Sequence, residues 1–484
     1  MTVAQGSSPI TEVPVDVRPF ERFAEVLDDE HYAQARAMAD DARRLLDGRT
    51  LWCVNSTAHG GGVAEMLAPL LGCARSAGVD ARWAVISGEP GFFTVTKRVH
   101  HRLHGQPGDG GPLGTAEHDV FDRVQEHNAP ALAALVQPED VVLLHDPQTA
   151  GLVAPLSERG ADVLWRVHIG ADEPNDLARE AWAFLGPDVA RARAYVFSRQ
   201  AHVWETLDPD RCHVIPPSID AFSPKNQDLA PAAVRAILQT AGLVAGRASA
   251  EAAFVRVDGT PGEVRRRADL VQDAPLPADA PVAVQVSRWD PLKDPEGVVD
   301  GFAACAQRLD GVHLLLAGPD VSSVSDDPEG AEVFKAVCER REGLEPQTRE
   351  RVHLASLPMD DAEENAAMVN ALQRHAMVVV QKSIAEGFGL TVAEALWKGR
   401  PVLASRVGGI QDQIQEGVTG VLLDDPRDPT AFGAALADLM AEPDRAAAMG
   451  AAGRESVREH FLEPRHLEQW VALLERLGGA SPGL

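Results

Sequence analysis

The sequence predicts an α/β protein built from two doubly wound, Rossmann-like domains facing a deep interdomain cleft. Three observations carry that expectation. Short apolar runs alternate with helical spans along both halves of the 484-residue chain, the pattern of a parallel sheet covered by helices on both faces. The alternation stops at Ile215-Pro216-Pro217-Ser218-Ile219-Asp220, where two prolines fix φ and end regular structure, as suits an interdomain linker. The polar clusters follow strands, after Asn55, Leu144, Val167, Val286 and Val380. Those are the carboxyl ends where open α/β sheets bind ligands, and a ligand lying in the crevice would meet all of them. A chain of this length is also too long for one core.

Taken in order, residues 1–20 read as a loosely packed arm and 20–46 as a helix. A strand at 51–55 runs into the glycine turn 56–62, and a helix follows over 63–76. Residues 81–86 form a strand, 100–114 a loop rich in Gly and His, and 115–135 a helix. Strands at 140–146, 163–168 and 194–197 follow, the last with a helix after it. This places a first domain at 1–217, with a C-terminal helix at about 465–484 packing back on it, and a second at 218–464. In the second domain, 226–240 is helical and 244–280, rich in Ala, Gly, Pro and charge, is expected as a surface insertion. Strands then recur at 282–286, 313–317, 352–354, 377–380, 402–404 and 421–423. Helical patterns over 429–439, 445–460 and 466–477 close the chain.

The composition bounds the function. With 45 Lys and Arg against 72 Asp and Glu, the net charge is −27, a surface that repels nucleic acid and anionic membrane. An anionic substrate would need a locally basic pocket. Five cysteines, Cys53, Cys73, Cys212, Cys305 and Cys338, lack paired or zinc-like spacing, which points to a reduced, cytoplasmic setting. The first residues show no basic, apolar, cleavable pattern, and no apolar run approaches the ~20 residues of a membrane span. No histidine spacing is metal-like and no Asp-x-Asp stands at a strand end, so no metal is expected.

The central stretch is Glu386-Gly387-Phe388-Gly389-Leu390-Thr391-Val392-Ala393-Glu394. A strand entering a glycine turn and then a helix leaves free N–H groups at the helix start, where the dipole favours an anion. Gly387 and Gly389 allow close approach of a ligand. Glu386 reads as a holder of sugar hydroxyls, as a partner of a cationic transition state, or as a cap or ion-pair residue. Glu394 reads as a ribose ligand or as a helix-surface glutamate. After the strand at 282–286 comes Ser287-Arg288-Trp289-Asp290-Pro291-Leu292-Lys293. Its two cations could converge on one pyrophosphate or pair with Asp290 and Asp294 in a solvated loop. Gly60-Gly61-Gly62 suggests a backbone lying against a diphosphate or sugar, or else a mobile loop. His168, His145-Asp146 and His59 are each either functional or packed, hydrogen-bonded residues.

Taken together, Glu386-x7-Glu394, the 287–293 loop, the Gly60–Gly62 turn and His168 resemble the retaining GT-B glycosyltransferases, the large family that includes sucrose synthase, glycogen synthase-like and trehalose-forming enzymes. The stretches 145–151, 165–170, 216–220 with 223–226, and 284–290 are similar to those of trehalose glycosyltransferring synthases, over about residues 20–475. The resemblance implies GT-B architecture and a transfer of glucose from ADP-, UDP- or GDP-glucose to free glucose, giving trehalose with retention. It implies that Arg288 and Lys293 neutralise the diphosphate, that Gly389, Leu390 and Thr391 present N–H groups to it, and that Glu394 holds the ribose. Glu386 and His168 would hold donor glucose, and Gly61 and Gly62 would close on the donor. His145, Asp146, Gln148 and Arg166 are the acceptor candidates. No cofactor is required beyond the sugar-nucleotide co-substrate. The expected partners are small molecules, not nucleic acid or membrane, and a homodimer is compatible with the sequence. Two competing readings are a trehalose phosphorylase using glucose 1-phosphate, which has no use for a ribose ligand, and a non-catalytic sugar-nucleotide sensor. The glycine-rich loop at 105–114 and the Ala-rich start of the insertion depart from the family pattern.

Overall fold

The computed structural model describes residues 8–58, 62–321 and 328–479. The chain divides into a first unit, Met1–Ile219 with Phe461–Leu484, and a second unit, Asp220–His460.

The first unit holds strands β1 (Ile10–Val13), β2 (Thr50–Asn55), β3 (Asp80–Ile86), β4 (Val141–His145), β5 (Asp162–Val167), β6 (Ala194–Phe197) and β7 (Cys212–Val214). They lie in the order β1-β3-β2-β4-β5-β6-β7, parallel except for β1 against β3. Successive side chains point to opposite faces. Val142 and Leu144 enter one core with Phe92, Phe121 and Leu185, while Val141 and Leu143 enter the other with Met38, Leu67 and Leu473. Both faces of β4 are therefore dry, and its sequence reads as an unbroken apolar run. Helices Pro90–Leu103, Thr115–Leu135 and Asp176–Val189 cover the first face. Helices Asp29–Leu45, Gly62–Ser76 and Glu463–Gly479 cover the second.

The second unit begins with helix Pro231–Ala241 and a hairpin of β8 (Ala253–Val255) and β9 (Pro261–Glu263). Its main sheet contains β10 (Asp269–Val271), β11 (Val282–Val286), β12 (His313–Pro319), β13 (Val352–Leu357), β14 (Val378–Gln381), β15 (Val402–Ser405) and β16 (Gly420–Leu423). The order is β10-β13-β12-β11-β14-β15-β16, parallel except for β10 against β13. The helices start where short polar side chains satisfy first-turn amides. Asp361 accepts from the N–H groups of Glu363 and Glu364, and Asp428 from those of Thr430 and Ala431. No described helix is long and apolar enough to cross a membrane, and all five cysteines are free thiols.

Several local expectations are corrected. The presumed loose arm contains β1, whose buried Ile10 pairs with Ile86; four residues between Pro9 and Pro14 are too few to show a period. The helix expected over 20–46 is broken into a 3-10 turn, Phe20–Glu25, and an α-helix that restarts because Asp28 accepts the His31 N–H at 2.8 Å. Helix Pro90–Leu103 runs into the expected 100–114 loop. Its Phe92, Val95, Val99 and Leu103 are buried, and Arg98 pins the loop through Asp109. No α-helix follows β6; 3-10 turns Gln200–His202 and Pro209–Arg211 lead instead to β7. Residues 244–280 do not simply lie over the surface: Val244, Phe254, Val264 and Leu276 are buried, and β10 extends the sheet.

Candidate active site

In the second sheet β11 and β14 are neighbours although β12 and β13 intervene in sequence. Such a switch point is where doubly wound sheets open a binding crevice. The loops leaving these two strands are tied together. Ile384 N–H donates to Leu292 O at 2.7 Å, and Gln285 Nε2 to Lys293 O at 3.0 Å. This scaffold sets Lys293 Nζ 2.5 Å from Glu386 Oε2. Ser383 Oγ donates to the same oxygen at 3.2 Å while accepting from Gln381 Nε2 at 3.0 Å. The Lys293 and Glu386 side chains are 16% and 13% exposed, sheltered yet open to a ligand. Behind them the buried Lys382 pairs with Asp294 and donates to Pro426 O at 2.6 Å. Asp294, at φ 46°, caps helix Pro295–Ala304. Arg288 is not drawn into the cluster: its side chain is 66% exposed and pairs with Asp290 at 3.1 Å.

Gly389 turns the chain at φ 83°. A Cβ there would lie 3.0 Å from Ile410 Cγ1 and 3.2 Å from Glu386 Cγ. Helix Leu390–Trp397 follows without a side-chain cap, so Leu390 and Thr391 stand at an open, electropositive helix start. One turn on, Glu394 is buried; its Oε1 meets Lys225 Nζ at 3.1 Å, and its Oε2 is buried with no hydrogen-bond partner. A buried carboxylate oxygen left unsatisfied is costly, and a hydroxyl donor would relieve it. Below, Lys398 Nζ donates to Asn226 Oδ1 at 2.8 Å and Glu394 O at 3.0 Å. Burial pushes its ammonium well below the usual lysine range, against the pull of Glu394.

Sequence reasoning missed the second support of this turn. Gly408 sits at φ 49° with Glu386 O only 1.8 Å from where its Cβ would be. Gly409 N–H donates to Gly387 O at 2.9 Å, and Gln413 Nε2 reaches Phe388 O at 2.6 Å. The signal was Gly408-Gly409 placed just after β15. Lys225 is not legible in the 223–226 stretch, because its partner Glu394 lies far along the chain.

In the first sheet the switch falls between β2 and β4. Asp146, just after β4, adopts φ 62°, a left-handed conformation uncommon for non-glycine residues. It is held by its N–H to Arg166 O at 2.8 Å, by Trp165 Nε1 to its carbonyl at 3.1 Å, and by His168 N–H to Oδ1 at 2.8 Å. The rings of His145 and His168 lie parallel at 5.4 Å, with Nδ1 and Nε2 3.1 Å apart. Arg166, fully buried, donates Nε to His168 Nε2 at 3.2 Å and Nη2 to Ile215 O at 2.9 Å. Its guanidinium stands 5.3 Å over the Trp470 ring. The acceptor role of Nε2 puts the His168 proton on Nδ1. Helix Glu463–Gly479 adds His466, whose Nδ1 is 2.8 Å from Ser218 Oγ, and Arg465, which donates to the carbonyls of Pro216 and Pro217; neither was expected.

Burial, aided by the Arg166 charge, lowers the His145 imidazole to about 3 and takes His168 and His466 well below the histidine range. Burial also lowers Arg166 to about 9. Desolvation raises the Asp146 carboxyl to about 7, against the His168 N–H and Arg166. Gln148 lies in the turn Pro147–Leu152, where its carbonyl accepts from Gln125 Nε2 at 2.9 Å. Gly62 opens its helix. Gly61, with His59 and Gly60, lies outside the described residues. Among the described residues no three His, Cys, Asp or Glu side chains are grouped to hold a metal.

Residues 53–204 match the family model for the N-terminal domain of trehalose synthase, and residues 267–456 the one for glycosyl transferases group 1. The chain is 34% identical over 462 residues to the trehalose synthase of Pyrococcus horikoshii, covering 96% of this chain and 97% of that one. It is 36% identical over 442 residues to that of Rubrobacter xylanophilus, covering 90% and 92%. The solved structure of sucrose-phosphate synthase from Thermosynechococcus elongatus matches with a TM-score of 0.61 at 19% identity, over 90% of this chain and 100% of that one. That likeness shows the fold, two Rossmann-like domains of the GT-B class.

Proposed function

The chain belongs to the trehalose synthase family of glycosyltransferases, and we propose that it moves glucose, with retention, from a nucleoside-diphosphate glucose to free glucose, forming trehalose reversibly. The observation that carries this reading is the Lys293–Glu386 pair beside the uncapped helix start at Gly389. Breaking the donor's anomeric C–O bond sends its electron pair to the phosphate oxygen and builds positive charge on the sugar. A fixed ammonium and the amides of Leu390 and Thr391 stabilise the departing diphosphate without reorganising as the charge develops. Glu386 positions Lys293 and takes donor-glucose hydroxyls. The exposed Arg288 swings onto the diphosphate as the second cation. Glu394 Oε2, already buried and lacking a donor, accepts from the ribose diol while Lys225 fixes the other oxygen.

In the first unit, His168 offers Nδ1–H to a glucose hydroxyl, and the helix start at Gly62 offers backbone N–H groups. Asp146 and Gln148 bind acceptor glucose; Arg166 and His145, expected from sequence to bind it too, are buried and act from behind, holding His168 in place. The acceptor oxygen bonds to the anomeric carbon on the face the phosphate leaves, and its proton passes to the departing phosphate oxygen. No metal or cofactor enters this scheme.

The test is incubation with ADP-, UDP- and GDP-glucose and free glucose, with the linkage read by NMR. The expected product is trehalose from at least one donor. Absence of trehalose with all three overturns the reading, and glucose 1-phosphate formed from trehalose and phosphate alone would replace it with phosphorolysis.

A further inference from the structure

The geometry points to a second ligand site on the second unit, an anion pocket for a monosaccharide phosphate, at the opposite edge of the sheet from Lys293 and Glu386. A cavity of about 620 Å³ is lined by Arg235, Gln239, Ser249, Arg374, His375 and Arg400, together with the start of helix Pro231–Ala241. No acidic side chain lines it, in a chain of net charge −27. Arg374 is anchored by Asp228 at 2.8 Å, and Arg235 is tied to Asp279 at 2.7 Å in an exposed pair that contributes little.

Arg400 has no ion pair and no side-chain hydrogen bond among the described residues, and its Nε is buried without a partner, as is His375 Nε2. Arg400 is half-buried, and a partly desolvated guanidinium with no counter-ion is a charge that an anion would neutralise. Desolvation and the neighbouring Arg374 already lower the Arg400 guanidinium. The helix that forms one wall begins at Ala230 with no side-chain cap, so its dipole and first-turn amides add to the attraction for an anion.

The size of the cavity selects the class of ligand. Sites of this volume hold small organic molecules, and a bare phosphate would leave most of it unfilled. Gln239 and Ser249 supply neutral polar groups suited to hydroxyls. The location separates this pocket from the candidate donor site. His375 ends the helix before β14, and Arg400 precedes β15, so both stand at the amino ends of strands whose carboxyl ends carry the Glu386 turn. The four residues of β14 put about 13 Å between the two edges.

Calorimetric titration of the full chain with ribose 5-phosphate and with inorganic phosphate tests the site; ribose 5-phosphate is a sugar phosphate that is not a glucose. The expected result is binding of ribose 5-phosphate that is tighter than that of phosphate and survives saturation with UDP. It should weaken by about tenfold or more in Arg400→Gln, as expected for losing a charged partner, and by less in Arg235→Gln, while Lys293→Ala binds as wild type. Unchanged thermal midpoints in both arginine variants secure the comparison. No binding at about 10 mM, weaker than the millimolar regime, overturns the proposal. So does unchanged binding in Arg400→Gln, competition by UDP, or loss in Lys293→Ala. Equal affinity for phosphate and ribose 5-phosphate overturns the assignment to a sugar phosphate.

Discussion

Lys293 and Glu386 are 93 positions apart and meet at 2.5 Å, and each was singled out from sequence by the turn it occupies. Their contact was not legible, because it depends on β11 and β14 being neighbours. Arg288 shows the opposite limit: its place in the loop was legible, but its side chain lies in solvent against Asp290. The two cations should therefore respond differently. Lys293→Ala should lower kcat/KM for the donor by 10²–10³-fold, about 3–4 kcal/mol, the loss typical of one fixed electrostatic donor, with the thermal midpoint little changed. Steady-state kinetics beside calorimetry checks this, and near-wild-type turnover would remove the leaving-group argument. Glu394 invites a subtler change. Glu394→Gln keeps the shape but weakens the acceptor for a ribose hydroxyl. A charged hydrogen bond is worth about 1.5–3 kcal/mol, so the donor KM should rise by ten- to a hundredfold with kcat largely kept. An equal effect on a donor lacking ribose hydroxyls would refute the ribose contact.

At the scale of elements, the parallel strands were legible because doubly buried strands are continuous apolar runs between helical periods. What escaped was short or held by distant partners. β1 has four residues, and β10 joins the sheet through a three-residue pairing with β13. Helix Pro90–Leu103 was obscured by His100, His101 and Arg102 at its end, although a cationic last turn suits a helix C-terminus. The Glu386 turn illustrates how elements hold a site. It is clamped from one side by the Leu292–Ile384 hydrogen bond and from the other by Gly408, Gly409 and Gln413. Gly408→Ala would place a methyl carbon 1.8 Å from Glu386 O, against backbone that cannot rotate away, and at a left-handed φ. The variant should lose at least about 1–3 kcal/mol of stability and should also lose donor affinity, since the turn must shift. Measurement of the thermal midpoint and donor binding together would decide this. A stable variant with intact donor binding would show that the clamp does not position the turn.

At the scale of the whole molecule, the first unit is closed by the end of the chain, and this closure carries a pH dependence. His145 from β4, His168 after β5 and His466 from the final helix all face the buried Arg166. Each is held neutral, with a folded pKa depressed from an unfolded value of about 6.5. Stability from such a group is full above the unfolded pKa and is lost as pH falls, because the unfolded chain then binds a proton that the folded one refuses. Asp146 works in the other sense. Its folded value of about 7 lies above the unfolded one of about 3.9, so its contribution is full at low pH and is lost as pH rises toward 7. Between about pH 4 and 6.5 one carboxyl opposes three imidazoles, each able to contribute up to about 1.4 kcal/mol per pH unit, and the histidines prevail. Relief of self-repulsion in a chain of net charge −27 acts against them everywhere on the surface, so the comparison must be made between variants. His145→Asn removes one buried imidazole and leaves the rest of the surface unchanged. Thermal midpoints of wild type and variant, taken at about pH 7, 6 and 5, should converge as pH falls, the wild type losing stability faster. Parallel curves would mean that His145 titrates alike in the folded and unfolded chain, and that the burial around Arg166 does not keep it neutral.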